Sequence, residues 1–318
     1  MVELSKSLVA CPVRLFVVIV AGLAAFVTVF ISTAGGAGSS NELIHRKDSL
    51  YQQILVYKND STVSLKFNRR SVAIQSRVDL QNPREFLLEY TKMSFAGLFY
   101  KPEPKRVLVV GMGGGVIPRE MRHYYPDTLI DVVEIDGAIP SIATKYFGFK
   151  ADDKMKVHVM DGRMYIRRQV RKQNEKYDYI VLDAFNSEYI PYHLMTREFL
   201  VLVKKALAED GVIVANVFHG NKLFDYELKT FIDVFAKADV YMGGSSGNAM
   251  IVVRGSGGKY PATKDLRAVA RELQKNRKFS FKIERLVNTR KVNVKPSRKS
   301  YVLTDDKAPV NKLREQNR

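Results

Sequence analysis

Glycine and acidic residues end four successive hydrophobic runs in the middle of this chain. Gly111 follows the first run, Glu134 ends the second, Asp161 follows the third and Asp183 ends the fourth. When such runs form parallel strands, their carboxyl ends meet at one edge of the sheet, where open α/β sheets bind their ligands. Glycine lets a ligand approach the backbone, and carboxylates accept hydrogen bonds from hydroxyl and amino groups. The pattern therefore predicts a ligand-binding edge.

The glycine-rich loop and the carboxylate after it have the arrangement of a Rossmann-like nucleotide site. Gly111, Gly113 and Gly115 stand at a strand-to-helix turn, where a ligand reaches the backbone without an intervening side chain. Glu134 follows roughly 20 residues later, at the strand end that carries the ribose-binding carboxylate in such folds. The loop lacks the Gly-Lys-Ser/Thr ending of a P-loop. Tight packing of the turn is the alternative explanation of these glycines.

Two later strand ends extend the predicted site. Asp161, followed by Gly162, is suited to accept a hydrogen bond from an adenine amino group, with capping of the next helix as the alternative. Asp183, at the end of the fourth run, is predicted to reach the same edge. His193 lies beyond this edge, where it either orients an acceptor or packs as an ordinary surface histidine.

The elements that position these residues alternate between strand and helix patterns. Over residues 105–255 this alternation predicts a parallel α/β sheet, and hydrophobic segments at 239–242 and 249–253 predict a closing antiparallel pair. Short alternating runs predict a small antiparallel β element within residues 40–104. Residues 256–318 read as a basic helix followed by a loosely structured tail.

The N-terminal segment, residues 1–39, has a different composition. Residues 15–31 carry no charge, Lys6 and Arg14 precede them, and a stretch of small residues follows. This predicts a hydrophobic helix that is either a signal anchor or a cleaved signal peptide. The anchor would make a single-pass membrane protein with the catalytic domain on the non-cytoplasmic side, and cleavage would make a secreted one. A buried core helix is the alternative.

Composition limits the remaining chemistry. Cys11 is the only cysteine, which excludes a cysteine nucleophile or zinc–thiolate site in the main domain. The five histidines are scattered, so no metal site is predicted. The net charge is +18, and most of it lies in residues 256–318. No aromatic-basic signature accompanies this charge, so a nucleic-acid partner is not predicted.

The motifs together resemble the spermidine synthase-like family, the polyamine aminopropyltransferases, over roughly residues 45–253. The resemblance rests on Ser49-Leu50-Tyr51-Gln52, the glycine loop, Val133-Glu134-Ile135-Asp136, Asp161-Gly162 and the run Tyr177 to Asp183. It implies a Rossmann-like class I methyltransferase sheet, a homodimer, and S-adenosylmethionine or decarboxylated S-adenosylmethionine as ligand. It also implies that Gln52 and the loop contact the methionine-derived part, Glu134 the ribose, Asp161 and Gly162 the adenine, and Asp183 the reaction centre.

Two positions depart from the family pattern. Aminopropyltransferases carry an Asp within the loop where this chain has Gly114, and a proton-accepting Asp where it has Asn186. Asparagine cannot act as a general base. Glu188 lies close enough in sequence to replace it as a catalytic residue beside Asp183. Acidic residues that would bind a polyamine are not evident in residues 87–92.

Further similarities favour a different transfer reaction. Residues 183–199 and the segment Leu303-Thr304-Asp305-Asp306-Lys307-Ala308-Pro309-Val310 resemble orphan spermidine synthase-like proteins. Residues 133–166 are similar to the C-terminal half of the elongation-factor-1-alpha lysine and N-terminal methyltransferase, which modifies a protein amine. A methyltransferase works largely by holding the sulfonium and a neutral amine in line.

The sequence therefore predicts a transferase, with methyl transfer to an amine acceptor as the first hypothesis. A divergent spermidine or spermine synthase that uses Glu188 is the second. A non-catalytic binding or scaffold protein is the third.

Overall fold

Two β-sheets organise the part of the chain that this computed structural model describes, residues 41–184, 191–244 and 246–309. The smaller sheet has four antiparallel strands in the order β1-β2-β3-β4. Residues alternate between buried and half-buried along β3, as expected for a sheet with one face on the core. The strands are β1 (Glu42–Asp48), β2 (Gln53–Asn59), β3 (Thr62–Phe67) and β4 (Ser76–Asp79).

The larger sheet has eight strands in the order β12-β10-β11-β9-β8-β5-β6-β7. The strands from β9 to β7 in this order are parallel, and β11, β10 and β12 are added antiparallel. The strands are β5 (Arg106–Val110), β6 (Leu129–Glu134), β7 (Met155–Val159), β8 (Tyr177–Leu182), β9 (Leu207–Phe218), β10 (Asp239–Met242), β11 (Asn248–Arg254) and β12 (Arg290–Lys291).

Helices connect these strands and cover both faces of the larger sheet. They are α1 (Glu89–Met93), α2 (Val116–Tyr124), α3 (Ile139–Phe147), α4 (Gly162–Arg171), α5 (Arg197–Ala206), α6 (Leu223–Phe235), α7 (Thr263–Arg277) and α8 (Glu284–Val287), with 3₁₀ helices at Ser94–Phe99 and Tyr192–Leu194.

Strand β5 shows why the chain folds in layers. Val107 and Val109 face a core shared with α2, α3, α7 and the smaller sheet, whereas Leu108 and Val110 face a core shared with α4, α5 and α6. A continuous hydrophobic run buries side chains on both faces, which requires cover on both sides. The strand is thereby fixed in the middle of the sheet, and its carboxyl end carries the glycine loop.

The predicted fold class is confirmed: a methyltransferase-type α/β sheet follows a small antiparallel sheet. The described part of the basic tail, which the sequence predicts to be loosely structured, instead contains regular elements. It forms α8 and β12, and Leu286, Val287 and Leu303 are buried. The sequence did not predict β12 because this strand has no hydrophobic run of its own. It forms by pairing with β10 in the folded protein.

The prediction of a single-pass membrane protein is corrected. Within residues 41–184, 191–244 and 246–309, no helix combines the length and the apolar composition needed to cross a membrane. Residues 15–31, on which the signal-anchor and hydrophobic-helix predictions depended, lie outside the described residues.

Candidate functional site

A cavity of about 770 Å³ opens at the carboxyl ends of the five parallel strands β5 to β9. The turn before β2 and the segment between β3 and β4 close its other side. The carboxyl edge of a parallel sheet is where such folds bind ligands, and the volume is that of a cofactor site. We distinguish two groups of lining residues. The glycine-loop end consists of Gly111, Gly113, Glu134, Asp161 and Gly162, and the Asp183 end consists of Tyr90, Asp183, Asn216, Phe218 and Asn248.

The glycine loop depends on backbone conformations that other residues rarely adopt. Gly111, Gly113 and Gly115 have φ values of 93°, 52° and 72°. A Cβ at Gly111 would lie 2.3 Å from the carbonyl oxygen of Asp183, so the loop can approach the end of β8 only without a side chain. Gly115 is the N-cap residue directly before α2 and is not among the residues that line the cavity.

Packing leaves no space for a side chain at Gly114. Its backbone N–H donates to Oγ of Ser76 at 2.7 Å. A Cβ added at this position would lie 2.8 Å from Cβ of Ser76 and 2.8 Å from Cδ1 of Phe147. Position 114 therefore accommodates glycine but not the aspartate that the resemblance described above would place there.

Glu134 is buried at the end of β6, with its carboxylate on the cavity wall. Its oxygens accept the backbone N–H groups of Met112 and Asp136, each at 3.0 Å. Burial raises the pKa of the Glu134 carboxyl, and these two N–H groups oppose the rise. The contacts fix the carboxylate beside the loop and leave lone pairs for further donors.

Asp136 connects the end of β6 to the turn that carries Gln52. One carboxylate oxygen accepts the backbone N–H of Ala138 at 3.0 Å, at the start of α3, and the other lies 2.5 Å from Oγ of Ser49. That same Oγ accepts the backbone N–H of Gln52 at 3.1 Å. Asp136 therefore connects the turn before α3 with the segment that positions Gln52, a residue of the cavity wall.

Asp161 caps α4 and is held by a histidine. Its Oδ1 accepts the backbone N–H of Met164 at 2.9 Å, and its Oδ2 lies 2.9 Å from Nε2 of His193. The hydrogen bond to His193 lowers the pKa of the Asp161 carboxyl. A Cβ at Gly162 would lie 2.5 Å from Cγ1 of Val110, so glycine lets the start of α4 pack closely against β5.

Asp183 belongs to a chain of side-chain hydrogen bonds. Nδ2 of Asn216 donates to Oδ1 of Asp183 at 2.8 Å, and Nδ2 of Asn248 donates to Oδ1 of Asn216 at 3.0 Å. Burial raises the pKa of Asp183 to about 7, the charge of Glu134 adds to the rise, and the Asn216 hydrogen bond opposes it. A carboxyl with this pKa exchanges a proton near neutral pH.

The rest of the Asp183 end is aromatic and uncharged. The hydroxyl of Tyr90 donates to the carbonyl oxygen of Gln75 at 2.5 Å. Burial raises the pKa of Tyr90, and the charge of Asp183 adds to the rise, so the phenol stays neutral. Among the described residues that line the whole cavity, the carboxylates are Glu134, Asp161 and Asp183, and there is no lysine or arginine.

The structure brings most of the predicted site residues to one cavity, whose wall contains Gln52, Gly111, Gly113, Glu134, Asp161, Gly162 and Asp183. Glu188 and Asn186 lie outside the described residues. Within residues 41–184, 191–244 and 246–309 no group of three His, Cys, Asp or Glu side chains is arranged to hold a metal.

Sequence reasoning missed Asn216, Asn248, Tyr90 and the pairing of His193 with Asp161. Asn216 lies near the end of the fifth parallel strand, so the rule that found the four other strand ends also leads to it. Tyr90 and Asn248 come from elements outside the parallel strands, and no spacing rule connects them to the site. His193 pairs with Asp161, a contact that neither of its two sequence interpretations, orienting an acceptor or packing at the surface, had included.

Comparisons with known proteins agree with this architecture. The family model described as the spermine/spermidine synthase domain matches residues 89–243. A polyamine aminopropyltransferase of Vibrio vulnificus is 36% identical over 277 residues, which cover 86% of this chain and 91% of that protein.

Two methyltransferases are also similar. The eEF1A lysine and N-terminal methyltransferase of Mus musculus is 36% identical over 142 residues, 41% of this chain and 20% of that protein. The crystal structure of human methyltransferase-like protein 13 in complex with SAH superposes with a TM-score of 0.56 at 29% identity, over 60% of this chain and 93% of that one. With the Vibrio relative aligned over nearly its whole length, the chain belongs to the polyamine aminopropyltransferase, or spermidine synthase-like, family.

Proposed function

We propose that the chain is an S-adenosylmethionine-dependent methyltransferase that acts on an amine acceptor. The observation that carries this proposal is the composition of the Asp183 end of the cavity. Beside Asp183 the described wall has the neutral residues Tyr90, Asn216 and Asn248 and the aromatic Phe218. With Glu134 and Asp161 assigned to the nucleoside, Asp183 is the one described carboxylate of the wall left for a polyamine with several positive charges, whereas a single amine needs no more than one.

The glycine-loop end fits an adenosyl group. Glu134 is fixed by two backbone N–H groups and retains acceptor capacity for the ribose hydroxyls. Asp161 would accept a hydrogen bond from the adenine amino group, with Gly162 allowing close approach, and Gln52 with Gly111 and Gly113 would contact the methionine-derived part. Gly115 would contribute by shaping the turn. The human relative that is 29% identical was crystallised with SAH, which supports this assignment.

The packing at Gly114 favours the carboxylated ligand. Both ligands carry an ammonium group, but the decarboxylated one lacks the neighbouring carboxylate that balances this charge, so it has the greater need of an acidic partner. Crowding by Ser76 and Phe147 excludes an acidic side chain at this position. The loop lies at the N-terminus of α2, where the helix dipole favours an anion instead. The α-carboxylate of S-adenosylmethionine is such an anion.

Asp183 and Asn216 would serve methyl transfer to an amine. When bound, S-adenosylmethionine supplies a methyl group on a positively charged sulfur, and the sulfur–carbon bond breaks as the amine nitrogen forms a bond to the same carbon. The amine must lose a proton, and Asp183, whose pKa burial raises to about 7, is the group that would accept it. Asn216 holds the accepting carboxylate in place.

Aminopropyl transfer is the second candidate, and the similarity to the Vibrio polyamine aminopropyltransferase over 91% of its length favours it. In that reaction Asp183 would be the same reaction-centre carboxylate. Glu188 would then replace the proton acceptor that the family has at the position of Asn186.

Calorimetric titration of the full chain with S-adenosylmethionine and, separately, with decarboxylated S-adenosylmethionine tests the proposal. We expect the carboxylated ligand to bind more tightly. Incubation of each ligand with an amine mixture, followed by mass spectrometry of the products, then identifies the transferred group. The Glu134→Gln variant is the control for binding in the cavity.

Each outcome selects one function. Tighter binding of S-adenosylmethionine, with a gain of one methyl group in a product, supports methyl transfer. Tighter binding of the decarboxylated ligand, with a polyamine product, replaces it by aminopropyl transfer. A folded chain that binds neither ligand in a Glu134-dependent manner rejects both reactions and leaves the non-catalytic protein.

A further inference from the structure

We propose that Asp305, in the turn at residues 304–307, is a positioning residue for Asp161, the proposed adenine contact in the glycine-loop end of the cavity. It acts on Asp161 through Arg163 and His193. Residues 303–309 belong to a motif with no role in the transfer reaction described above. Their contacts with the first turn of α4 and with the start of α5 connect them to the cavity wall.

The first connection is an ion pair between Asp305 and Arg163. Nη1 and Nη2 of Arg163 donate to the two carboxylate oxygens of Asp305 at 2.7 and 2.5 Å, which is a bidentate arrangement. The hydroxyl of Thr196 also donates to Oδ1 of Asp305 at 2.7 Å. These donors lower the pKa of the Asp305 carboxyl, so the pair stays ionised at neutral pH.

The second connection leads from Arg163 to the cavity wall. Nη1 of Arg163 donates to the backbone carbonyl oxygen of His193 at 3.3 Å. The imidazole of His193 lies 2.9 Å from Oδ2 of Asp161, and both residues line the cavity. Arg163 is also two residues after Asp161, on the first turn of α4. By holding the guanidinium of Arg163, Asp305 thus contributes to the positions of both Asp161 and His193.

The turn itself is anchored, so its position is defined. Leu303 is fully buried; its backbone N–H donates to Oγ1 of Thr230 at 2.9 Å, and its carbonyl oxygen accepts the N–H of Arg197 at 2.8 Å. The N–H of Asp305 donates to a carboxylate oxygen of Glu198 at 3.0 Å. A carboxylate presented by such a turn loses little conformational freedom when it pairs with Arg163.

The exposure of Asp305 makes the inference testable. Its side chain is 40% exposed, and exposed ion pairs contribute little to folding stability. Replacing Asp305 therefore leaves the fold intact while it releases Arg163. Asp306 is the next residue and is also exposed, so its replacement by Asn removes the same charge without this contact.

The test is calorimetric titration of the full chain with S-adenosylhomocysteine and with S-inosylhomocysteine, which lacks the adenine amino group. We expect Asp305→Asn to weaken binding of S-adenosylhomocysteine about 3- to 10-fold. We expect a smaller effect on S-inosylhomocysteine, because the amino group is the proposed partner of Asp161. Asp306→Asn is expected to leave both affinities unchanged. A general structural role for Asp305 would instead weaken both ligands equally.

A double-mutant cycle tests the route through His193. In a His193→Ala background, Asp305→Asn is expected to cause no further loss of affinity. Additive losses, equal effects on the two ligands, or unchanged affinity in Asp305→Asn would each overturn the inference.

The inference rests on the proposed function, and Asp161→Asn separates the two. If Asp161→Asn weakens S-adenosylhomocysteine and Asp305→Asn does not, only the positioning role fails. If Asp161→Asn has no effect, or if the unaltered chain binds neither ligand, the adenine assignment itself fails together with the inference.

Discussion

The side-chain amide nitrogen of Asn216 lies 2.8 Å from a carboxylate oxygen of Asp183, at the end of the cavity where the transfer is proposed. Because the amide donates to the ionised carboxylate, it favours the form that accepts a proton. Burial acts in the opposite direction and raises the pKa of Asp183 to about 7. Under the proposed function, we therefore expect Asn216 to determine how far activity extends below neutral pH.

Replacement of Asn216 by Leu is expected to move the acid limb of kcat/KM to higher pH by about one unit. The reaction needs the ionised carboxylate, so activity is lost as the pH falls through the pKa of Asp183, and loss of the donor raises that pKa. The measurement is kcat/KM against pH. Asn248→Ala, which leaves the Asn216 donor in place, should shift the limb less, and an unchanged limb in Asn216→Leu would exclude Asp183 as the titrating group.

Glu134→Gln is expected to weaken binding of the adenosyl ligand about 10- to 100-fold, since hydrogen bonds to a charged carboxylate contribute more than those to a neutral amide. Calorimetry measures the change. Glu120→Gln is a matched control, because Glu120 is equally buried but pairs with Arg119 on α2. Equal affinities for the Glu134 variant and the unaltered chain would reject the ribose assignment.

Gly114→Asp is expected to lower the free energy of unfolding by about 1 to 3 kcal/mol and to create no aminopropyl transfer, because a Cβ there overlaps Ser76 and Phe147. Urea unfolding and product analysis measure the two effects. Gly114→Ala adds the same Cβ without a charge and should cost a similar amount. A fully stable Gly114→Asp protein that gains polyamine synthesis would refute the argument from packing.

Glu227→Gln is expected to stabilise the protein at high pH only. Glu227 on α6 is buried among apolar residues that include Ala184, and burial raises its pKa to about 8. Folding therefore favours its protonated form, and the stability that this provides is complete below about pH 4.5 and is lost as the pH rises through 8. At pH 9 the variant should be more stable by on the order of 5 kcal/mol, with no difference at pH 4.

Urea unfolding at the two pH values measures this effect. Asp225→Asn on the first turn of the same helix is the control, since it also removes one acidic charge. Equal stabilisation of the Glu227 variant at both pH values would show that Glu227 does not titrate in this range.

The parallel core and one end of the site could be predicted because their signals are local. Gly111, Glu134, Asp161 and Asp183 each follow a hydrophobic run, and the geometry of parallel strands brings the ends of such runs together. Asn216 follows the same rule, but a neutral amide within a longer run carries no comparable signal.

The C-terminal contacts could not be predicted because their signals are not local. Asp305 and Arg163 are 142 residues apart, and nothing in the spacing of either indicates the pairing. Strand β12 has two basic residues and no hydrophobic pattern. Its position depends on Arg290, which donates to buried Asp239 at 2.6 and 2.9 Å.

The position of β12 also affects how copies of the protein meet at high concentration. The unpaired backbone of an edge strand is a template on which a second chain can add, and short charged strands are a common protection against this. Without β12, the edge would be β10, with its hydrophobic residues Val240 and Tyr241. Because Arg290 and Lys291 cover β10 with a strand of only two residues, this edge of the sheet offers little length for another chain to extend, which protects it against edge-to-edge aggregation.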